Sequence, residues 1–212
     1  MAVIVISGAI GSGKSSLTAL LAEEFGMEAK YESVDDNEVL PLYYSNMEKY
    51  ALLLQIYFLN NRFKIIKESF GKNNTINDRS IYEDSLFFHK LADDGIVSET
   101  EVKIYDDLLE NMMQEINESH KKAPDLLIHI DVSLETTLER IQKRGREFEQ
   151  LDNNPELFEY YSDLNSRYFR WYEEYNHSPK ISISDMDFVN NEQDRINVIN
   201  TVRNKLQELN LL

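Results

Sequence analysis

The stretch Gly8-Ala9-Ile10-Gly11-Ser12-Gly13-Lys14-Ser15 fits the pattern G-x-x-x-x-G-K-[ST] and restricts the fold of this chain more than any other segment. Residues 2–6 ahead of it are apolar and mostly β-branched, so they read as a buried strand. Residues 16–25 behind it have helical composition and spacing. A strand, a glycine loop and a helix in that order form a phosphate cradle. The glycines let the backbone curl so that several N–H groups converge on one anion, and the helix N-terminus adds its positive dipole end. The eight motif residues and Ser16 are therefore expected to bind ATP. Lys14 would reach the β- and γ-phosphates, and the Ser15 hydroxyl would hold Mg²⁺.

Composition narrows the partners. The 212 residues suit one α/β domain with a substantial core. With 38 acidic and 22 basic side chains the net charge is −16, which disfavours nucleic acid and acidic membrane surfaces as partners. There is no cysteine, hence no disulfide framework and no thiolate metal site. The opening residues carry no basic leader pattern, and no apolar run reaches membrane-spanning length, so a cytoplasmic protein is expected.

Strands are predicted at 2–7, 28–32, 74–78, 126–131 and 181–184. Helices are predicted at 14–25, 46–70, 80–92, 98–118, 133–145, 154–176 and 191–210. Such alternation implies a parallel sheet with right-handed crossovers, whose ligands bind beyond the carboxyl ends of the strands. Two polar groups sit there. Glu32 closes the second strand, and Asp78-Arg79-Ser80 closes the third. A carboxylate near a γ-phosphate can accept a proton from an attacking hydroxyl, and an arginine can offset developing charge. Taken singly, Glu32 also reads as a surface glutamate, and Asp78-Arg79 as a structural ion pair.

Gln55 and Arg62 lie seven residues apart on one face of the helix over 46–70, with Phe58 and Leu59 between them. An amide and a guanidinium on an apolar stripe can hydrogen-bond a flat heterocycle, or they can be polar residues at the ends of a core helix. Asp84 and Phe88, at i and i+4, share a face of the next helix. Asp84 either pairs with Arg62 or reads a base edge together with it. Arg140, Lys143, Arg144 and Arg146 form the densest basic cluster in an acidic chain. It reads as a lid that closes on transferring phosphates, in preference to a helix C-terminus complementing its dipole.

Collected, these residues resemble the deoxynucleoside kinase family, and most closely its bacterial deoxyadenosine and deoxyguanosine kinases. The resemblance spans the chain and rests on the phosphate loop, Tyr31-Glu32-Ser33-Val34, Leu42-Tyr43-Tyr44, Gln55-Ile56-Tyr57, Asp78-Arg79-Ser80-Ile81-Tyr82-Glu83-Asp84 and Arg140-Ile141-Gln142-Lys143-Arg144-Gly145-Arg146. It implies a single domain over 1–212 with an α/β P-loop kinase fold. A five-stranded parallel sheet is flanked by helices, with an arginine-rich lid at about 140–152. The reaction it implies is ATP-dependent 5′-phosphorylation of deoxynucleosides in nucleoside salvage, with purines favoured and deoxycytidine admitted.

The same resemblance implies residue roles. Glu32 is the general base, Arg79 steadies it near the 5′-oxygen, and Lys14 completes the catalytic set. Tyr44 and Glu149 bind the sugar 3′-hydroxyl. Gln55, Arg62 and Asp84 recognise the base, while Leu54 and Phe88 line its cleft. Arg140, Arg144 and Arg146 belong to the lid, and the loop with Asp185 and Phe188 holds the donor adenine. Ser15, and Asp78 through water, attend Mg²⁺. The family also implies pairing through the helices over 46–70 and 80–92, with a second copy or a paralogous kinase subunit. Two rival readings are a nucleoside monophosphate kinase, whose acceptor needs more cationic contacts, and a regulatory NTP-binding switch without an acceptor.

Overall fold

The computed structural model of the protein describes residues 2–32, 37–69, 74–119 and 123–212. The five predicted strands form as β1 (Val3–Gly8), β2 (Glu28–Lys30), β3 (Thr75–Asp78), β4 (Leu126–Asp131) and β5 (Lys180–Ser184). They make one sheet in the order β2-β3-β1-β4-β5, and every pairing is parallel. β1 is central, with Ile6 in register with Asp78 of β3 and with Ile128 of β4. The phosphate loop thus leaves the middle of the sheet, and the chain following β3 leaves beside it.

Helices fill the crossovers and follow the last strand: α1 (Lys14–Phe25), α2 (Val39–Ser45), α3 (Met47–Ser69), α4 (Ser85–Asp93), α5 (Glu99–Ser119), α6 (Leu134–Arg144), α7 (Leu157–Glu174) and, after β5, α8 (Glu192–Glu208). Sequence periodicity misses α2, which is only seven residues long and carries Pro41 in its first turn. Proline is tolerated there because first-turn N–H groups have no intrahelical acceptor. The Asn37 side chain starts the helix by accepting from the N–H groups of Val39 and Leu40. The predicted helix over 80–92 splits into a 3₁₀ turn, Ile81–Glu83, and α4, because the Ser80 hydroxyl caps the turn by accepting from the Tyr82 N–H. α7 is shorter than the predicted 154–176. Ser33, Val34 and the last residue of the predicted helix over 46–70 lie outside the described residues.

Alternate residues of each strand face opposite layers. Ile4, Ile6, Ile76 and Ile128 pack with Leu17 and Leu21 of α1 and Val198 and Val202 of α8. A second core joins α2, α3, α4, α5 and α7 through Tyr43, Leu54, Leu59, Phe88, Leu91, Tyr105 and Leu164. Among the described residues no helix is long and apolar enough to cross a membrane.

His129 of β4 sits inside the sheet, its ring stacked 4.7 Å from that of Tyr172 and its Nδ1 2.9 Å from the Ser7 hydroxyl. Burial, with Lys14 and Lys180 nearby, lowers its pKa from 6.5 to about 4. A depressed folded-state pKa means that the unfolded chain binds the proton first. Stability is therefore full above about pH 6.5 and is lost as pH falls toward 4. The loss is on the order of 3 kcal/mol at the acid end. Urea midpoints measured across that window should fall less steeply for His129→Gln than for the wild type, and equal slopes would remove the assignment.

Candidate active site

The phosphate loop is shaped by close approaches that a side chain would obstruct. Gly11 has φ 78°, and a Cβ there would stand 2.9 Å from the Thr137 carbonyl oxygen. Gly13, the N-cap of α1, has φ 102°, and a Cβ there would meet Arg140 Nη1 and the Phe188 ring. Lys14 is buried and folds back on the loop, donating to the carbonyls of Gly8 at 2.9 Å and Ala9 at 2.8 Å. Burial and the nearby Arg79 lower its pKa to about 7 against the pull of the surrounding carboxylates. The Ser15 hydroxyl donates to Asp78 Oδ2 at 2.5 Å, while among the described residues the buried Oδ1 of Asp78 has no hydrogen-bond partner.

Beyond the loop, a cavity of about 780 Å³, its open mouth included, runs between α2, α3, α4 and α7. Its wall holds Lys14, Ser15, Glu32, Tyr44, Leu54, Gln55, Arg62, Asp78, Arg79, Arg144, Arg146 and Glu149, so it gathers residues from six parts of the sequence. Glu32 is fixed between two arginines. Arg62 donates to Oε1 from Nε at 3.1 Å and from Nη2 at 2.5 Å, and Arg79 donates to Oε2 from Nε at 2.8 Å. Burial alone would raise the Glu32 carboxyl, but Arg62 and Arg79 outweigh it and hold the group below the usual carboxylate range. Gln55 lines the cavity, is 3% exposed, and its amide has no partner among the described residues. Tyr44 stacks on Phe148 with ring centroids 5.2 Å apart.

Two residues expected in the base cleft stand behind it. Asp84 is fully buried, paired with Arg62 and accepting from the Tyr105 hydroxyl at 2.5 Å. Phe88 is fully buried with its ring 4.8 Å from that of Tyr105. They do share a helix face, but that face meets α5. The aromatic rings in the cavity wall are those of Phe58, Phe87, Tyr43 and Tyr160, together with Tyr44. Phe87 precedes Phe88 by one residue, a rotation of about 100° around the helix. Of these rings, Phe58 carried a sequence signal through its place between Gln55 and Arg62. Tyr160 carried none, because nothing in α7 announces which neighbour it meets.

The basic cluster divides. Arg140, on α6, donates to the Ser12 carbonyl at 2.5 Å and so buttresses the phosphate loop itself. Arg144 and Arg146 lie on either side of Gly145, and both pair with the buried Glu149 of the 3₁₀ turn Glu147–Glu149. Phe188 is buried against the phosphate loop. Asp185, at φ 52°, lies in a separate groove with Ser133 and Arg170.

A buried carboxylate between two arginines, next to a phosphate cradle and an amide-lined cavity, is equipped to activate a hydroxyl toward a bound phosphoryl group. Comparison with known proteins agrees with that chemistry. The family model described as deoxynucleoside kinase matches residues 4–207. The chain is 54% identical to deoxyguanosine kinase of Lactobacillus johnsonii, over 99% of this chain and 94% of that protein. It is 52% identical to deoxyadenosine kinase of Lactobacillus acidophilus, over 98% and 97%. A solved structure of deoxyadenosine kinase from M. mycoides with bound dCTP superposes with a TM-score of 0.79 at 29% identity, covering 97% of this chain and 99% of that one. With a family match over residues 4–207 and relatives more than half identical along nearly its whole length, this chain belongs to the deoxynucleoside kinase family.

Proposed function

We propose that the protein transfers the γ-phosphoryl group of ATP to the 5′-hydroxyl of a deoxynucleoside, purine deoxynucleosides being favoured and deoxycytidine admitted. The observation that carries this reading is the position of Glu32, clamped between Arg62 and Arg79 where the phosphate loop meets the cavity. The 5′-oxygen forms a bond to the γ-phosphorus as the bond to the bridging oxygen breaks and ADP leaves. The hydroxyl proton goes to Glu32. A carboxylate held ionised by two arginines is a weak base, which suits a loose transition state in which the proton leaves late. Arg79 and Lys14 offset charge on the transferring group.

The unpartnered Gln55 amide and Arg62 supply hydrogen bonds for a base, with Leu54 as apolar wall and Asp84 orienting Arg62. Tyr44 and Glu149 supply them for the sugar. The names of the Lactobacillus relatives support a purine acceptor. Arg140, Arg144 and Arg146 serve the donor phosphates, the last two from a lid over about 140–152 within one domain spanning 1–212. Phe188 and Asp185 flank the donor adenine. The hydroxyl of Ser15 and the carboxylate of Asp78, with one oxygen unpaired among the described residues, are hard oxygen donors that fit Mg²⁺. When bound, the ion supplies charge neutralisation to the phosphates. Exposed Leu53 and Ile56 on α3 support pairing with a second copy or a related subunit. The reading places the enzyme in the cytoplasm, in nucleoside salvage.

The test is phosphoryl transfer from labelled ATP–Mg²⁺ to the four deoxynucleosides and to their monophosphates. Transfer to deoxyguanosine or deoxyadenosine ahead of the rest is the expected result. Transfer to monophosphates alone would overturn the acceptor assignment, and hydrolysis alone would leave a nucleotide switch.

A further inference from the structure

We propose that Glu83 and Tyr168 are positioning residues that lock one side of the Arg79 guanidinium so that its remaining nitrogen, Nη2, is presented to the transferring phosphoryl group. The inference rests on the kinase reading given above and extends it to two residues outside the cavity wall.

Arg79 is held at every point but one. Its backbone has φ 84°, and its N–H is fixed to the Ile6 carbonyl at 2.9 Å. Its Nε donates to Glu32 at 2.8 Å. Its Nη1 donates to Glu83 Oε1 at 3.2 Å and to the Tyr168 hydroxyl at 2.6 Å. The guanidinium carbon lies 5.0 Å from the Phe87 ring centroid. Among the described residues nothing pairs with Nη2, although Arg79 lines the cavity. A planar fork pinned through two nitrogens, Nε on one side and Nη1 on the other, has its third fixed in direction. That is what charge stabilisation requires, because a donor that must reorient during the reaction loses much of its effect.

Glu83 is fully buried, and among the described residues its Oε2 has no hydrogen-bond partner. A carboxyl kept inside with one oxygen unused costs stability that an apolar side chain would not. Among the described residues the carboxyl hydrogen-bonds Arg79 alone. Tyr168 is also fully buried and reaches Arg79 from α7, 89 residues away. The turn that follows Arg79 and a distant helix therefore converge on a single nitrogen. Burial raises the Glu83 pKa against the pull of Arg79. A protonated carboxyl still accepts through its carbonyl oxygen, so glutamine is its faithful substitute.

The experiment is steady-state transfer from ATP–Mg²⁺ to deoxyguanosine and deoxyadenosine by the wild type, Glu83→Ala, Glu83→Gln and Tyr168→Phe, with each substitution repeated in an Arg79→Lys background. Misplacing a catalytic group is worth about 10²-fold, so Glu83→Ala should lower kcat by that factor with the KM for ATP within about twofold. Tyr168→Phe should lower kcat about tenfold, the worth of one hydrogen bond to a charged group. Glu83→Gln should stay within about threefold of wild type, because its amide oxygen replaces the acceptor. In the Arg79→Lys background the same substitutions should cost nothing further, since lysine has no fork to hold. Unchanged kcat in Tyr168→Phe, or losses that multiply with Arg79→Lys, would overturn the proposal. Should Glu83→Ala fail to fold, Tyr168→Phe and its double variant decide alone. An inactive wild type sinks the kinase reading, whereas an active wild type with indifferent variants sinks only the positioning pair.

Discussion

Glu32→Gln lowers turnover by about 10²–10⁴-fold, the range expected when a general base is removed, while the affinity for ATP stays within about twofold. The side chain keeps its length, and its hydrogen-bond partners among the described residues are two arginines, Arg62 on one oxygen and Arg79 on the other. Glutamine keeps one acceptor and turns an amide N–H₂ toward the other guanidinium, so part of the loss comes from displacing Arg79. Glu32→Asp separates the contributions. It keeps the charge and withdraws it by one methylene, and should recover part of kcat. Single-turnover rates with a saturating deoxynucleoside are the measurement. Near-normal turnover in Glu32→Gln would mean that the proton leaves by another route.

Asp84→Ala destabilises the fold and blurs the choice of base together. Asp84 is fully buried, and its partners are Arg62 and the Tyr105 hydroxyl. Removing one member of a buried ion pair costs about 3–5 kcal/mol because the other charge stays behind. Glu32 compensates Arg62 in part, which puts the expected loss at the lower end of that range. Arg62, released on one side, then turns toward Glu32, so its hydrogen bonds to a base become less selective. Urea unfolding reads the first effect, and the ratio of kcat/KM among the four deoxynucleosides reads the second. Altered selectivity with unchanged stability would mean that Asp84 contacts the base directly.

Asp84 also marks how far the sequence could be read. The spacing of Asp84 and Phe88 is that of one helix face, and they do share one, but the face meets Tyr105 of α5 and not the cavity. Periodicity reports which residues lie together, whereas the neighbour they meet depends on contacts between distant segments. Gln55, Phe58 and Arg62 line the cavity because α3 presents the stripe that the spacing implied. The sheet was legible for a related reason. Strands such as Leu126–Asp131 are buried on both faces and leave continuous apolar runs. Helix α2 left none, being short and capped by a side chain outside it. Arg140 was legible as part of a basic cluster, yet its bond to the Ser12 carbonyl depends on α6 packing beside the loop, 128 residues away in sequence.

Arg79 adopts a left-handed backbone conformation that costs a residue with a Cβ roughly 1–2 kcal/mol. Glycine at position 79 would relieve that strain but would leave the buried Glu32 and Glu83 without their shared cation, and breaking a buried pair costs about 3–5 kcal/mol, more than the strain returns. The strained backbone is kept by the ion pairs it makes possible. Engineering this scaffold for heat resistance by relaxing local conformation would lose both stability and turnover at 79.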